Sequence, residues 1–180
     1  MKRWTTLKRE HVADCRVFKI ERVWARSPKD GGEHDFYRIA SVDWVQVVPV
    51  TAAREIVMIR QYRPGADAVT LEIPGGLVDA GESAAEAAAR ELLEETGYRA
   101  ARLRPLGALN PNPALFGNRL HAFVADDAEH VAEIRNDAAE HTVVELVPRE
   151  RLPELLRAGA VDHGLVAATL WRYWYESGSR

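Results

Sequence analysis

The chain has 180 residues, of which 47% are hydrophobic and 28% are charged, and its formal net charge at pH 7 is −3. This composition is typical of one folded globular domain with an elaboration, and it excludes collagen-like, coiled-coil and largely disordered chains. A slightly negative chain has no bulk positive field for nucleic acid or an anionic membrane surface, so neither is expected as a partner.

The single cysteine and the N-terminal residues predict the compartment. Cys15 has no second cysteine with which to form an internal disulfide, which suits a reducing environment. No stretch approaches the roughly 18 uninterrupted apolar residues of a membrane span, and no apolar core of a signal peptide follows the charged N-terminus. We therefore expect an unprocessed, soluble, cytoplasmic protein.

The first predicted elements are strands. Residues 12–26 carry scattered apolar positions among charges, which is typical of one or two exposed strands. The glycines and proline of residues 28–32 predict a turn, and residues 36–40 predict the returning strand.

The buried strands come next. Residues 44–50 form a nearly continuous apolar run that is too short for a helix and rich in β-branched side chains, which predicts a central strand. A loop at 51–54 leads to a second buried strand at 55–62 and a short one at 69–73, which ends at the Pro-Gly-Gly turn of residues 74–76.

The clearest helix spans residues 84–96. Ser83 and Glu86 form a capping box at its start, and Gly97 stands where a left-handed residue ends a helix. Its predicted apolar face consists of Ala85, Ala88, Ala89, Leu92, Leu93 and Thr96.

The remaining elements are less regular. Residues 98–109 predict a strand, and the acidic, alanine-rich residues 126–139 predict a mobile loop. Further strands are expected at 121–125 and 142–147, and helices at 153–158 and 165–175. This order predicts an α/β fold of the α+β type, a mixed central sheet with helices on both sides.

The helix at 84–96 carries an acidic cluster that its packing does not explain. Residues 82–95 contain five acids and one base, and Glu91, Glu94 and Glu95 share one face of the helix. Like charges at this spacing repel one another and destabilise a helix, whereas a divalent cation bound between them would make their interaction favourable. Oxygen donors favour Mg²⁺ or Mn²⁺ completed by substrate phosphates, and the absence of nearby cysteines or paired histidines argues against zinc. The isolated His121, His141 and His163 are not predicted as metal ligands.

A longer pattern surrounds these acids. Gly76, five residues, Glu82, seven residues and then the run from Arg90 to Tyr98, RELLEETGY, resembles the signature of the Nudix hydrolases at every fixed position. Only Tyr98 is a less usual choice, where an aliphatic residue is commoner. The resemblance implies an α/β/α sandwich and cleavage of a nucleoside diphosphate linked to another moiety.

The same resemblance implies roles for the motif residues. Glu91, Glu94 and Glu95 resemble the metal-binding carboxylates, assisted by the carbonyl of Gly75 or Gly76. Glu82 and Arg90 resemble the pair that braces the loop against the helix; the alternative for this pair is an ordinary surface salt bridge, worth about 0 to 1 kcal/mol.

Segments before the motif resemble the ADP-ribose pyrophosphatase branch. They are residues 60–65 (RQYRPG) and 71–76 (LEIPGG), and the resemblance assigns substrate binding to Arg60, Arg63, Glu72 and Gly76. It also implies that residues 1–42 are an N-terminal strand extension to a Nudix domain at 43–180, swapped across a homodimer. Trp44 and Phe36 can then stack on a nucleobase, although core burial is the favoured reading.

The reaction needs a general base. A motif glutamate, Glu94 or Glu95, is one candidate. The resemblance adds Glu140, which precedes the strand at 142–147 and can serve as metal ligand or base, alone or with help from Asp137; solvated loop acids are the alternative.

The sequence thus predicts Mg²⁺-dependent hydrolysis of a nucleoside diphosphate sugar, foremost ADP-ribose, to AMP and ribose 5-phosphate. The alternatives within the family are GDP-mannose, dinucleoside polyphosphates and nucleoside triphosphates. An alternative of another class is a non-catalytic nucleotide-sugar sensor.

Overall fold

The computed structural model describes residues 1–136 and 141–178 of the chain. The strands are β1 Thr5–Asp14, β2 Lys19–Arg26, β3 Glu33–Ala40, β4 Trp44–Val50, β5 Glu55–Arg63, β6 Ala68–Glu72, β7 Tyr98–Arg99, β8 Leu103–Leu109, β9 Leu120–Asp126, β10 Glu129–His130 and β11 Thr142–Pro148. The helices are α1 Ala84–Thr96, α2 Leu152–Arg157 and α3 Gly164–Glu176, and a short 3-10 turn at Arg149–Arg151 precedes α2.

The chain divides into two compact units. The first comprises residues 1–43 and 110–119, and the second comprises residues 44–109 and 120–180. Within the described parts of both units, no helix has the length and apolar character required to cross a membrane.

The first unit is built on a three-stranded antiparallel sheet with the order β1-β2-β3. Residues 110–119 are tied to β3 by two backbone hydrogen bonds, from Ile39 N to Leu115 O at 2.8 Å and from Gly117 N to Ile39 O at 3.2 Å. Gly117 allows this approach because a Cβ there would lie 2.0 Å from the Arg38 guanidinium. Phe36 is 47% exposed, so the expectation of core burial is wrong for this side chain.

The second unit is a six-stranded mixed sheet with the order β11-β5-β4-β9-β8 and β6 paired with β5. The pair β4 and β9 is parallel, and the other pairs are antiparallel. Side chains alternate along β4, so Val45 and Val47 pack with α1, whereas Val48 packs with α2 and α3 on the opposite face. The predicted sandwich of helices around a mixed sheet is confirmed.

Helix α1 has the ends that the sequence predicts. The Ser83 side chain accepts the Glu86 N–H, the Glu86 carboxylate accepts the Ser83 N–H, and Gly97 has φ 73°. The buried face is shifted from the prediction, because Ala87 and Glu95 are buried while Ala85 and Ala89 are exposed. Gly97 also has a packing reason, since a Cβ would lie 2.0 Å from Ala132 O.

Two other predictions need correction. The strand β1 begins at Thr5 rather than at residue 12, since almost all of its side chains are exposed and it shows no apolar alternation. The predicted strand at 98–109 is two strands in different sheets, and β7 pairs with β10, which lies inside the predicted loop at 126–139. Residues 137–139 of that loop lie outside the described residues.

Candidate active site

The Pro-Gly-Gly turn lies directly against the acidic helix. The Glu95 Oε2 atom accepts the Gly75 N–H at 2.8 Å, which fixes the C-terminal turn of α1 to the loop that precedes it. A Cβ on Gly76 would lie 2.3 Å from Glu91 Oε1 and 2.6 Å from Glu91 Cδ. Glycine at position 76 is therefore what lets the Glu91 carboxylate rest against the loop backbone.

The loop is in turn held by strand β4. Val45 N donates to Gly76 O at 2.9 Å, and Gly76 N donates to Val45 O at 3.1 Å. The Gly76 carbonyl accepts one backbone hydrogen bond and keeps a second lone pair, so Gly75 and Gly76 both stay candidates for the predicted carbonyl ligand. A Cβ on Gly75 would lie 2.2 Å from Val45 O, so this glycine is required by backbone packing.

Arg90 joins three of the motif acids. Its Nε and Nη2 atoms each donate to Glu82 at 3.0 Å, and its Nη1 donates to Glu91 Oε1 at 2.9 Å and to Glu94 Oε2 at 3.2 Å. Nη2 also donates to Leu77 O at 3.0 Å. The guanidinium therefore links the 77–82 loop to α1 and fixes the carboxylates around it.

These contacts shift the proton affinities in the expected directions. The hydrogen bond to Glu82 is the largest cause that raises the pKa of Arg90, and burial opposes it. The hydrogen bond from Arg90 likewise lowers the pKa of Glu82. The pair is therefore ionised on both sides at neutral pH.

The three predicted metal-binding glutamates differ in their surroundings. Glu95 is buried at 4% exposure, Glu91 is 13% exposed at its side chain, and Glu94 is 44% exposed. Among the residues that the structure describes, no three His, Cys, Asp or Glu side chains are grouped closely enough to hold a metal ion. Glu91 and Glu94 nevertheless converge on one nitrogen, Arg90 Nη1, so their carboxylate oxygens lie at most 6.1 Å apart.

Arg63 and Glu72 form a second charged pair beside the loop. Arg63 Nε and Nη2 donate to the two Glu72 oxygens at 2.8 and 2.7 Å, and Thr70 Oγ1 donates to Glu72 Oε1 at 2.7 Å. Burial at 1% exposure acts to raise the pKa of Glu72, but the hydrogen bonds from Arg63 and Thr70 outweigh it and the pKa is lowered. The side chain is a fixed carboxylate at neutral pH.

A cavity of about 280 Å³ adjoins this pair and the glycine loop. It is lined by Trp44, Val45, Gln46, Arg63, Glu72, Ile73, Gly75, Gly76, Leu77, Leu120, His163 and Leu165. Arg63, Glu72, Gly75 and Gly76 were singled out by the sequence and meet here. The sequence did not indicate Gln46 or His163 as site residues. For Gln46 a signal was present, because a glutamine stands inside the apolar run of β4.

The predicted substrate-binding residue Arg60 does not line this cavity. Arg60 Nε donates to Glu145 Oε2 at 2.6 Å, and residues 60 and 63 project to opposite faces of β5 because side chains alternate along a strand. Glu140 lies outside the described residues. Its described neighbour Thr142 donates to the Glu95 carbonyl at 2.7 Å, at the C-terminal turn of α1.

The structure combines a mixed sheet enclosed by helices with a glycine turn that packs against a glutamate-rich helix. Comparison with known proteins identifies the class to which this arrangement belongs. The NUDIX domain model matches residues 41–169. A CMP-5'-(N-acetyl-N-hydroxy-3-aminopropyl)phosphonate hydrolase of Streptomyces rubellomurinus is 31% identical over 87% of this chain and 75% of its own. An ADP-ribose pyrophosphatase of Bacillus subtilis is 34% identical over 57% of this chain and 55% of its own.

A solved structure is similar over the whole length. The crystal structure of an ADP compounds hydrolase matches with a TM-score of 0.86 and 28% identity, covering 100% of this chain and 98% of that one. The chain belongs to the Nudix family and is a Nudix hydrolase.

Proposed function

We propose that the protein hydrolyses the diphosphate linkage of a nucleoside diphosphate sugar, with ADP-ribose giving AMP and ribose 5-phosphate, and that it uses Mg²⁺ or, as a substitute, Mn²⁺. The observation that carries the proposal is the contact of the Gly75–Gly76 backbone, which lines the cavity, with Glu91 and Glu95, two of the glutamates that we assign to metal binding. The similarity to ADP-ribose pyrophosphatase and ADP compounds hydrolase supports the choice of substrate.

The donor set fits a hard divalent cation. Glu91, Glu94 and Glu95 offer only oxygen atoms, and two of them already converge on the positive charge of Arg90. We assign these three carboxylates and the carbonyl of Gly75 or Gly76 to metal binding, with Glu140 as a further candidate. The bound metal would supply charge neutralisation at the diphosphate and a lowered pKa for bound water.

The protein's own groups then have distinct tasks. Arg90 and Glu82 hold the loop and the helix in register, and Arg63 and Gly76 border the space for the substrate next to the acids. Of the motif glutamates, Glu94 is the more suitable general base, since it is 44% exposed whereas Glu95 is buried and accepts the Gly75 N–H. Glu140 is the alternative base.

A turnover screen with Mg²⁺ tests the substrate. We expect AMP and ribose 5-phosphate from ADP-ribose, resolved by ion exchange, at a kcat/KM well above that for GDP-mannose, diadenosine polyphosphates or nucleoside triphosphates. A CMP-linked phosphonate belongs in the screen because of the similarity to the Streptomyces hydrolase. GMP with a hexose phosphate, or a monophosphate with pyrophosphate, as the preferred products would contradict the proposal.

We also propose a homodimer formed through the N-terminal strands. The first unit exposes aromatic side chains, with Trp4 38%, Phe36 47% and Tyr37 53% accessible. Exposed apolar groups of this kind favour a protein interface. Light scattering after size exclusion should give a dimer for the full chain, and a monomer at all concentrations would contradict it. The cytoplasmic setting stays a prediction from the sequence.

A further inference from the structure

The cavity beside the glycine loop has room for one ring-sized group. Its volume of about 280 Å³ is at the low end for ligand pockets, which run from roughly 300 to 1,000 Å³. A single sugar or base fits this volume, and the rest of a nucleotide sugar would lie outside it. Gly75 and Gly76 line it and also contact Glu95 and Glu91, so the cavity lies next to the place where the diphosphate is proposed to bind.

Gln46 presents hydrogen-bond donors to this cavity. Its side chain is 7% exposed, and its Oε1 accepts the hydroxyl of Thr169, which is fully buried, at 2.9 Å. Because the amide oxygen accepts from Thr169, the Nε2 group is the part of this side chain left to bond a ligand in the cavity that Gln46 lines. Among residues 1–136 and 141–178, no acceptor is paired with this Nε2.

His163 lines the same cavity from another element. Its Nδ1 accepts the Val166 N–H at 3.4 Å and caps the start of α3. In a neutral imidazole the proton must then be on Nε2. The first main-chain bond of the helix runs from Ala167 N to His163 O, so the amides of Gly164 and Leu165 lie ahead of it and remain donors at the positive end of the helix dipole.

The acceptors in the wall are mostly occupied. Glu72 takes two hydrogen bonds from Arg63 and one from Thr70. The remaining wall is apolar and includes Trp44 and Leu120. The complementary ligand has several oxygen acceptors around a compact ring with an apolar face, which describes a sugar better than a nucleobase with an exocyclic amino donor.

We propose that Gln46 and His163 determine specificity by binding the sugar on the far side of the diphosphate from the nucleoside. This inference rests on the proposed function. Among the described residues, neither side chain hydrogen-bonds to the acid cluster, so their contribution is to substrate choice and affinity and not to the chemical step.

Variants that keep the fold can test the two donors separately. His163→Asn retains a capping acceptor for α3 and removes the Nε2 donor. The double variant Gln46→Met with Thr169→Val removes the amide without leaving a buried hydroxyl unpaired. His11→Asn, on the exposed strand β1, is the matched control for the histidine change.

Three substrates distinguish an effect on sugar recognition from an effect on base recognition: ADP-ribose, ADP-glucose and GDP-glucose. We expect each cavity variant to raise the KM for ADP-ribose about tenfold with kcat little changed. The preference between ADP-ribose and ADP-glucose should change, while the ratio of ADP-glucose to GDP-glucose stays as in the wild type. A change confined to the base comparison, or a loss in kcat with KM unaltered, would overturn the assignment.

A binding experiment measures ligand binding in the cavity independently of catalysis. Ribose 5-phosphate titrated into the ¹⁵N-labelled protein should shift the Gln46 side-chain amide resonances, and binding should weaken in His163→Asn but not in His11→Asn. Unshifted Gln46 resonances at saturating ribose 5-phosphate would refute the inference. Failure of the proposed function gives a different result, a wild-type protein that hydrolyses no nucleoside diphosphate sugar.

Discussion

Replacing Gly76 by alanine should separate catalysis from folding. The added Cβ would lie 2.3 Å from Glu91 Oε1, whereas ordinary contacts begin at 3.4 Å. The three nearest atoms belong to the end of one flexible side chain, so the Glu91 carboxylate can yield without moving the backbone. It must move by about 1.1 Å away from the loop.

A displacement of this size is large for a catalytic geometry. Misplacing a catalytic group by about 1 Å can cost roughly 10²-fold in rate. We therefore expect Gly76→Ala to lower kcat for ADP-ribose about a hundredfold and to weaken the apparent affinity for Mg²⁺. Its midpoint of thermal unfolding should stay close to that of the wild type.

Two neighbouring glycines are controls for this substitution. A Cβ on Gly65 would meet nothing within 4 Å, so Gly65→Ala should change neither rate nor stability. A Cβ on Gly75 would lie 2.2 Å from the backbone oxygen of Val45, so Gly75→Ala should destabilise the fold. Wild-type kcat and metal affinity in Gly76→Ala, or unfolding as ready as that of Gly75→Ala, would refute this explanation.

Four further outcomes follow from the contacts of the site. Ser83→Ala removes the capping box of α1 and should cost about 1 kcal/mol in the free energy of unfolding with kcat/KM preserved; an unchanged stability in urea would contradict the capping role. Arg90→Lys cannot reproduce the two bonds to Glu82, and we expect it to lower kcat while the far-UV spectrum stays native; full activity would refute the bracing role. Glu72 has a pKa below its ordinary value of 4.5, so its charge stabilises the fold above pH 4.5 and this effect is lost as the pH falls through the folded pKa. The difference in unfolding free energy between the wild type and Glu72→Gln should therefore shrink between pH 7 and pH 3. A constant difference would contradict the lowered pKa. Removing divalent cations with a chelator should abolish hydrolysis and excess Mg²⁺ should restore it, whereas turnover that persists in chelator would exclude the proposed metal.

The sequence was most informative where local chemistry determines structure. Helix α1 begins and ends as predicted because Ser83, Glu86 and Gly97 act within a few residues of its ends. The central strands were predicted because their continuous apolar runs are too short for a helix and rich in β-branched side chains. The order of strands in the sheet could not be read in the same way, because pairing such as that of β4 with β9 depends on residues far apart in the chain.

Other features escaped prediction for physical reasons. The strand β1 is held by backbone pairing to β2 and buries little, so its sequence shows no alternation. Glu95 is buried although its residue type favours solvent, because the Gly75 amide satisfies it. The cavity donors Gln46 and His163 are 117 positions apart in the chain and meet only when α3 packs on the sheet.

The most direct test of the account is a Mn²⁺ titration followed by electron paramagnetic resonance, which reports free metal ion. We compare the wild type with Glu94→Gln, in the presence and absence of AMP. We expect the wild type to bind Mn²⁺, more tightly with nucleotide, and the variant to bind it at least tenfold more weakly while keeping its fold. Equal binding by both proteins, or none by the wild type with nucleotide present, would contradict it.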